Sequence, residues 1–349
     1  MGRVVNIETQ VELAPRTTLG VGGRAAHYAC VDSEAALLEA LAWASSRELE
    51  VRVLGGGSNI VVGDAGFAGL VIELGLRGVQ KLSEGEVCKV RAAAGEPWDE
   101  FVASTVAAGL QGLECLSGIP GRVGATPIQN VGAYGQEVAE TITEVVCIDA
   151  HARTRRVFEK AECEFAYRDS FFKSREPGRY VVSEVTFALR VAAAPALRYA
   201  ELERWFAARG IASPTLAEVR DAVLHLRRAK SMLLDASDPN SRSCGSFFVN
   251  PVLSPKEFGD FSARVATADV PHFPQPDGRV KLSAGWLIEH AGLPRGTRDG
   301  AVGLSTQHAL ALVAHEGARS ADVRQFAERV QREVYRHFGV RLEPEPVFW

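Results

Sequence analysis

The stretch CGSFFVNP, residues 244–251, sets one hydroxyl, Ser246, between a flexible glycine and two phenylalanines. Two readings suit it. One is a strand entering an Asn-Pro turn. The other is a proton donor shielded from water, since a neutral hydroxyl is usable as an acid only where water is excluded and its developing charge is held. A second candidate is LGGGSN, 54–59, behind a β-rich run. Consecutive glycines let backbone N–H groups approach an anion and form a nest for phosphate, where a tight turn is the plainer alternative. The third is GLECLSGIPGRVGATPIQNVGAYGQE, 112–137, with glycines at 112, 118, 121, 124, 132 and 135 in no regular period. Ile119, Pro120, Val123, Ile128, Val131 and Tyr134 favour burial, which argues against disorder. A long, unpatterned, partly apolar loop suits a segment wrapped around a large phosphate-bearing ligand such as a dinucleotide. No GxGxxG opens a long helix and no GK[ST] follows, so Rossmann and P-loop readings both fail.

These segments need strands and helices to hold them. VRVL (51–54), NIVVG (59–63), GLVIEL (69–74), EVVCID (144–149) and YVVSEVTFALRV (180–191) read as strands. Asp32 or Ser33 can cap a helix with Leu37, Leu38 and Leu41 on one face. PWDEFVASTVAAG places Trp98, Phe101, Val102 and Thr105 at helical spacing and stops at Gly109. Thr215 and Glu218 form a capping box, and Ser320 opens a helix closed by Gly339. The run AAAPALRY, 192–199, reads as a hinge between two α+β halves.

The chain has 349 residues, enough for two or three domains. A formal charge of -4 leaves no basic footprint for nucleic acid. Cys30, Cys88, Cys115, Cys147, Cys163 and Cys244 form no CxxC pair and no zinc spacing, and read as buried reduced thiols, which suits the cytoplasm. The opening residues lack the apolar core of a signal peptide, and no apolar run approaches spanning length, so no membrane insertion is expected.

LGGGSN, SGIPGRVGATPIQNVGAYGQE, YRDSFFK, GSFFVNP, KLSAGWLIEHAGL and LEPEP occur in this order over nearly the whole chain. Together they resemble the bacterial UDP-N-acetylenolpyruvoylglucosamine reductase family, flavoenzymes of peptidoglycan precursor synthesis. The resemblance implies an α+β fold: a two-lobed FAD-binding domain of the vanillyl-alcohol-oxidase type, plus a smaller α+β substrate-binding domain. The expected boundaries are 1–195 for the first, in two subdomains of about 1–75 and 76–195. They are 196–335 for the second, with 336–349 returning to the active site. Non-covalent FAD, NADPH as reductant, a UDP-sugar nucleotide substrate and a cytoplasmic monomer follow as expectations. An oxidase of the same fold and a catalytically silent sugar-nucleotide module are the alternatives.

Within the resemblance, Ser246 donates a proton to the enolate carbon. Arg168 of YRDS holds the carboxyl end, where a planar guanidinium can clamp bidentately; an ion pair with Asp169 is the plainer reading. Glu345 of LEPEP stands near the reacting carbons, with Glu343 as the alternative carboxylate. The cofactor contacts expected are Gly55, Gly56, Gly57, Ser58 and Asn59 in the first loop. In the second they are Gly118, Ile119, Pro120, Gly121, Gly124, Ala125, Gln129, Asn130, Gly132, Ala133 and Tyr134. Tyr199 of ALRYAEL matches the tyrosine that the longer type of this family carries over the substrate, and reads equally as a core tyrosine. Arg227 and Lys230, three apart on one helix face, are candidates for phosphates, and Asn250 for the diphosphate. Ser305 and Ala314 depart from the usual family pattern, and His308 follows Gln307 there.

Overall fold

In a computed structural model, residues 5–265 and 270–349 are described. The opening of the chain, on which the reading of the leader partly rests, lies in part outside them. The chain divides into two compact units, each discontinuous in sequence: Met1–Val11, Ala25–Gly56 and Phe67–Ala229, and then Glu12–Arg24, Gly57–Gly66 and Lys230–Trp349. Residues 196–229, expected to begin a substrate domain, pack within the first unit. There Leu202, Phe206, Val219 and Val223 share a buried cluster with Cys115.

Two larger sheets build the first unit. In one, strands Arg24–Val31 and Val51–Leu54 both run parallel to Phe67–Leu74. Parallel strands need a crossover, and helix Glu34–Ser45 supplies it, burying Leu37, Ala40, Leu41 and Ala44. Ser33 rather than Asp32 is its cap, accepting from the Ala36 N–H at 3.3 Å. The other sheet is antiparallel, ordered Arg155–Glu159, Ile142–Asp149, Tyr180–Val191, Val87–Ala93, Val79–Lys81. Its inner strands Ile142–Asp149 and Tyr180–Val191 are largely apolar and mostly buried on both faces, whereas Arg155–Glu159 and Val79–Lys81 at the edges are mostly exposed. Helix Trp98–Ala107 packs Phe101 5.2 Å from Phe187, and the fully buried Trp98 6.0 Å from the same ring. Truncating Phe101 would cost about 3–5 kcal/mol.

The second unit carries the antiparallel sheet Ser243–Ser246, Ala311–Ala314, Val302–Leu304, Arg298–Asp299. A small sheet pairs Val252–Leu253, Val280–Leu282 and His272–Pro274. Helix Ser320–Phe338 buries the expected stripe of Val323, Phe326, Val330, Val334 and Phe338, and ends at Gly339 with φ 71°. Its first amides are held by a distant group: both carboxylate oxygens of Asp64 accept from Ser320 and Ala321, at 2.8 and 3.0 Å. Burial opposes charge on Asp64, but these hydrogen bonds and Arg319 hold its carboxyl below the usual range. Val347–Phe348 pairs in parallel with Ile60–Val61.

None of the six cysteines forms a disulfide. Five are buried as expected, but Cys30 is exposed, because it faces outward on the Arg24–Val31 strand. No helix among the described residues is long and apolar enough to cross a membrane.

Candidate active site

In the first unit the two glycine loops meet. A side chain at Gly56 would place its Cβ 2.6 Å from the Gly121 Cα, so only glycine permits this approach. One at Gly124 would lie 2.5 Å from the Ala94 Cβ. Trp98 pins the loop by donating from Nε1 to the Leu116 carbonyl at 3.0 Å. The Gly118 N–H donates to Asp99, whose two oxygens also take both arms of Arg220 at 2.6 and 2.8 Å. Sequence reasoning misses Asp99 and Arg220: Asp99, between Trp98 and Glu100 in the first turn of its helix, carries no local sign that it faces a loop. Between these anchors, the amides of Gly55, Gly56, Ile119, Gly121 and Arg122 make no main-chain hydrogen bond among the described residues.

Further along the loop, Asn130 is buried, with φ 42°. Its Nδ2 donates to Glu137 and to the Ala166 carbonyl, and its Oδ1 accepts from the Ala139 N–H. Its side chain thus organises the loop internally. Gln129 accepts from Lys173 at 3.0 Å. Gly132–Ala133 pairs with Gln136–Glu137 across a two-residue turn in which Tyr134 and Gly135 both have positive φ, the geometry of a type I′ hairpin. This turn presents Tyr134, whose ring meets Tyr199 edge-on at 5.4 Å. Burial raises the Tyr134 phenol well above its usual range, although Arg227 works the other way.

Arg227 lies inside helix Leu216–Ala229 and is only 7% exposed. Burial lowers its pKa, while Tyr134 and Asp99 favour its charge. Lys230 falls one residue past the helix end at Ala229, and Ser231 after it turns the backbone to φ 55°.

Arg168 also has a left-handed backbone, φ 55°. Its Nη2 donates to the Gly132 carbonyl at 2.7 Å. The neighbouring Asp169 accepts from the Ser170 N–H and the Ser174 hydroxyl.

In the second unit, Gly245 takes φ 76° within an irregular register between Ser243 and Ser246. Such a bulge re-aims the side chain that follows it, here Ser246. Phe247 and Phe248 are fully buried. The C-terminal segment runs antiparallel beside them. Phe248 bridges Pro344, the Val249 N–H donates to the Glu343 carbonyl, and the Glu345 N–H donates to the Phe247 carbonyl at 2.9 Å. Glu345 is thereby one register step from Ser246, and partly buried, whereas Glu343 is exposed. Asn59 holds the same segment: its Nδ2 donates to the Glu345 carbonyl and its own carbonyl accepts from Val347. Gly57, just before it, is forced to be glycine, with φ 63° and the Arg16 carbonyl 2.0 Å from any Cβ. Burial pushes the Cys244 thiol up to about 12, and Glu345 adds to the shift. Asn250 accepts from the Ala284 N–H at 2.9 Å, at the start of helix Ala284–His290. Ala314 is buried in the inner strand Ala311–Ala314 and Ser305 is buried just past the end of Val302–Leu304, where its Oγ accepts from the Gln307 N–H.

The protein from Thermobifida fusca (strain YX) named UDP-N-acetylenolpyruvoylglucosamine reductase is 50% identical over 344 residues, covering 97% of this chain and 96% of its own. The chain belongs to the UDP-N-acetylenolpyruvoylglucosamine reductase family. The reductase of Salinispora arenicola (strain CNS-205) is 46% identical, over 98% of this chain and 96% of its own. The family description "UDP-N-acetylenolpyruvoylglucosamine reductase, C-terminal domain" matches residues 238–349, and "FAD binding domain" matches 25–157. Among solved structures, the reductase from Thermus caldophilus superposes with a TM-score of 0.68 at 27% identity, covering 99% of each chain. The expected α+β class with an FAD-binding domain holds. As a reductase of this family the protein is an FAD-dependent oxidoreductase of peptidoglycan synthesis, with NADPH as reductant. The amides of Gly55, Gly56, Ile119, Gly121 and Arg122, which have no main-chain partner among the described residues and surround the close approach of Gly56 to Gly121, fit the phosphates of such a dinucleotide.

Proposed function

We propose that this reductase acts on UDP-N-acetylglucosamine enolpyruvate to give UDP-N-acetylmuramate, with Ser246, Glu345 and Arg168 as its catalytic residues. The observation that carries the reading is the main-chain pairing that sets Glu345 beside Phe247, one step from Ser246. FAD, when bound, supplies the relay of reducing equivalents from NADPH to the enolpyruvyl group. It is held non-covalently by Gly55, Gly56, Gly57, Ser58 and Asn59, and by the loop from Gly118 to Tyr134.

The protein's own part is charge and proton management. Negative charge develops on the enolate and its carboxylate. Arg168 holds that carboxylate with its planar, permanently charged fork. Ser246 gives its proton to the enolate carbon, in surroundings kept dry by Phe247 and Phe248. Glu345 assists as acid or dipole at the reacting carbons. Tyr199, Arg227, Lys230 and Asn250 are proposed to bind the sugar nucleotide. The Asn250 amide nitrogen is the part left for this, because its oxygen holds Ala284. The functional division proposed is 1–195 for FAD, 196–335 for substrate and 336–349 for the catalytic tail, in a cytoplasmic monomer that binds no nucleic acid.

NADPH consumption on addition of the enolpyruvyl sugar nucleotide tests the reading directly. Denaturation by heat or acid should leave FAD in the supernatant. Flavin retained on the precipitated chain would refute non-covalent binding, and no consumption with this substrate would refute the assignment.

A further inference from the structure

We infer that Lys173 is a positioning residue for Arg168, holding its strained backbone and tying it to the flavin loop. The inference rests on the proposed role of Arg168. Arg168 adopts φ 55°, a region that non-glycine residues occupy only when their surroundings impose it. The Lys173 ammonium donates to the Arg168 carbonyl at 2.7 Å and to Gln129 Oε1 at 3.0 Å. A charged donor on a carbonyl is stronger than a neutral one.

The reach of Lys173 back over five residues comes from the turn that carries it. Phe171–Arg175 is a π-type turn, opened by main-chain bonds from Lys173 and Ser174 to the Ser170 carbonyl. Such turns are frequent at functional sites. Ser170 is buried and donates from its hydroxyl to the Ile128 carbonyl at 2.8 Å. Two side chains of YRDSFFK therefore bolt this segment to the short helix Thr126–Gln129, inside the long glycine loop. The guanidinium of Arg168 reaches the Gly132 carbonyl of the same loop. Without Lys173, the carbonyl of Arg168 loses its charged donor. The backbone can then relax towards negative φ, which swings the Cα–Cβ bond and carries the guanidinium away. A displacement of about 1 Å at a group that orients a reactant costs on the order of 10²-fold in rate.

The test uses the flavin-loaded enzyme and four variants: Lys173→Met, Lys173→Arg, Lys173→Gln and Arg168→Lys. Single-turnover reoxidation by the enolpyruvyl substrate, flavin reduction by NADPH, bound flavin, thermal midpoint and the dissociation constant of UDP-N-acetylmuramate are measured. Lys173→Met should slow reoxidation about 10–100-fold and weaken binding of the carboxylate-bearing product, with flavin reduction and bound flavin unchanged. Lys173→Arg, which keeps two charged donors, should recover most of both. If Lys173→Met does not yield folded flavoprotein, Lys173→Gln, with one acceptor served, carries the same comparison. A lower thermal midpoint with reoxidation and product binding unchanged would make Lys173 structural only and overturn the inference. Slow reoxidation in Arg168→Lys beside normal reoxidation in Lys173→Met and Lys173→Gln overturns the inference alone. Normal reoxidation in Arg168→Lys overturns the role of Arg168, and the inference with it.

Discussion

The main-chain N–H of Glu345 donates to the carbonyl of Phe247 at 2.9 Å, across 98 residues of sequence. This bond fixes which carboxylate of LEPEP lies near Ser246. Exchanging Glu345 for Glu343 would need a two-residue slip of this antiparallel pairing, which would break the Phe248–Pro344 bridge and the bonds from Val249 to Glu343 and from Glu345 to Phe247. Pro344 and Pro346 restrict the backbone on both sides.

Ser246→Ala should separate the two half-reactions. Flavin reduction by NADPH stays near the wild-type rate, while reoxidation by the enolpyruvyl substrate slows about 10²–10⁴-fold. Stopped-flow measurement of both steps decides. Equal slowing would assign Ser246 to the sheet edge alone.

Glu345→Gln should slow reoxidation by about 10²–10³-fold, and Glu343→Gln should not. Glutamine preserves the shape and the main-chain ladder, so the melting curve should stay put. The reverse pattern between the two variants would show that the exposed carboxylate is the active one.

Tyr199→Phe removes a hydroxyl from a ring that is 42% exposed and braced edge-on by Tyr134. Loss of one hydrogen bond of about 0.5–1.5 kcal/mol corresponds to about 2–13-fold weaker sugar-nucleotide binding. Titration calorimetry measures it. An unchanged dissociation constant would leave Tyr199 as a brace for Tyr134.

Gly56→Ala should lower both bound flavin and the melting temperature, because its Cβ would collide with the Gly121 backbone. Overpacking of this kind costs about 1–3 kcal/mol. Gly259→Ala is the control: it sits in helix Pro255–Arg264 with nothing within 4 Å of the added methyl, and alanine favours the helix. If Gly56→Ala retains full flavin and stability, the two loops are not held in the contact described.

Asp99 gives a pH dependence with a definite sign. Burial opposes its charge, but Arg220 and the Gly118 N–H hold its carboxyl below the usual range. A depressed folded pKa stabilises the native state above the unfolded carboxylate value, near pH 4, and that stability is lost as pH falls through the folded value. Asp99→Asn should therefore flatten part of the acid limb of a stability-against-pH curve between about pH 5 and pH 2, with little change in slope above it. An unchanged acid limb would mean that Arg220 and Asp99 contribute nothing that titrates.

The sequence alone determined the helices and strands whose pattern is local. Ser33, the Thr215–Glu218 box, Gly109 and Gly339 mark ends by short-range hydrogen bonds or by φ, and the strand 180–191 appears with its expected ends. The six ordered motifs likewise carried the family, the FAD-binding domain and the reductase activity. Other features were decided only by the tertiary structure. The helix expected to begin at Ser320 is held by Asp64, 256 residues away. The run LGGGSN is split, so that Gly56 packs against Gly121 in one unit while Asn59 holds Glu345 in the other. Arg227 is buried despite its charge, and Lys230 falls just past the end of its helix. The physical reason is common to these cases. Propensity, capping and glycine torsions act over a few residues, and so are written in neighbouring letters. Which distant backbone group satisfies an open N–H, or which wall a glycine must clear, is set when separate segments close on each other.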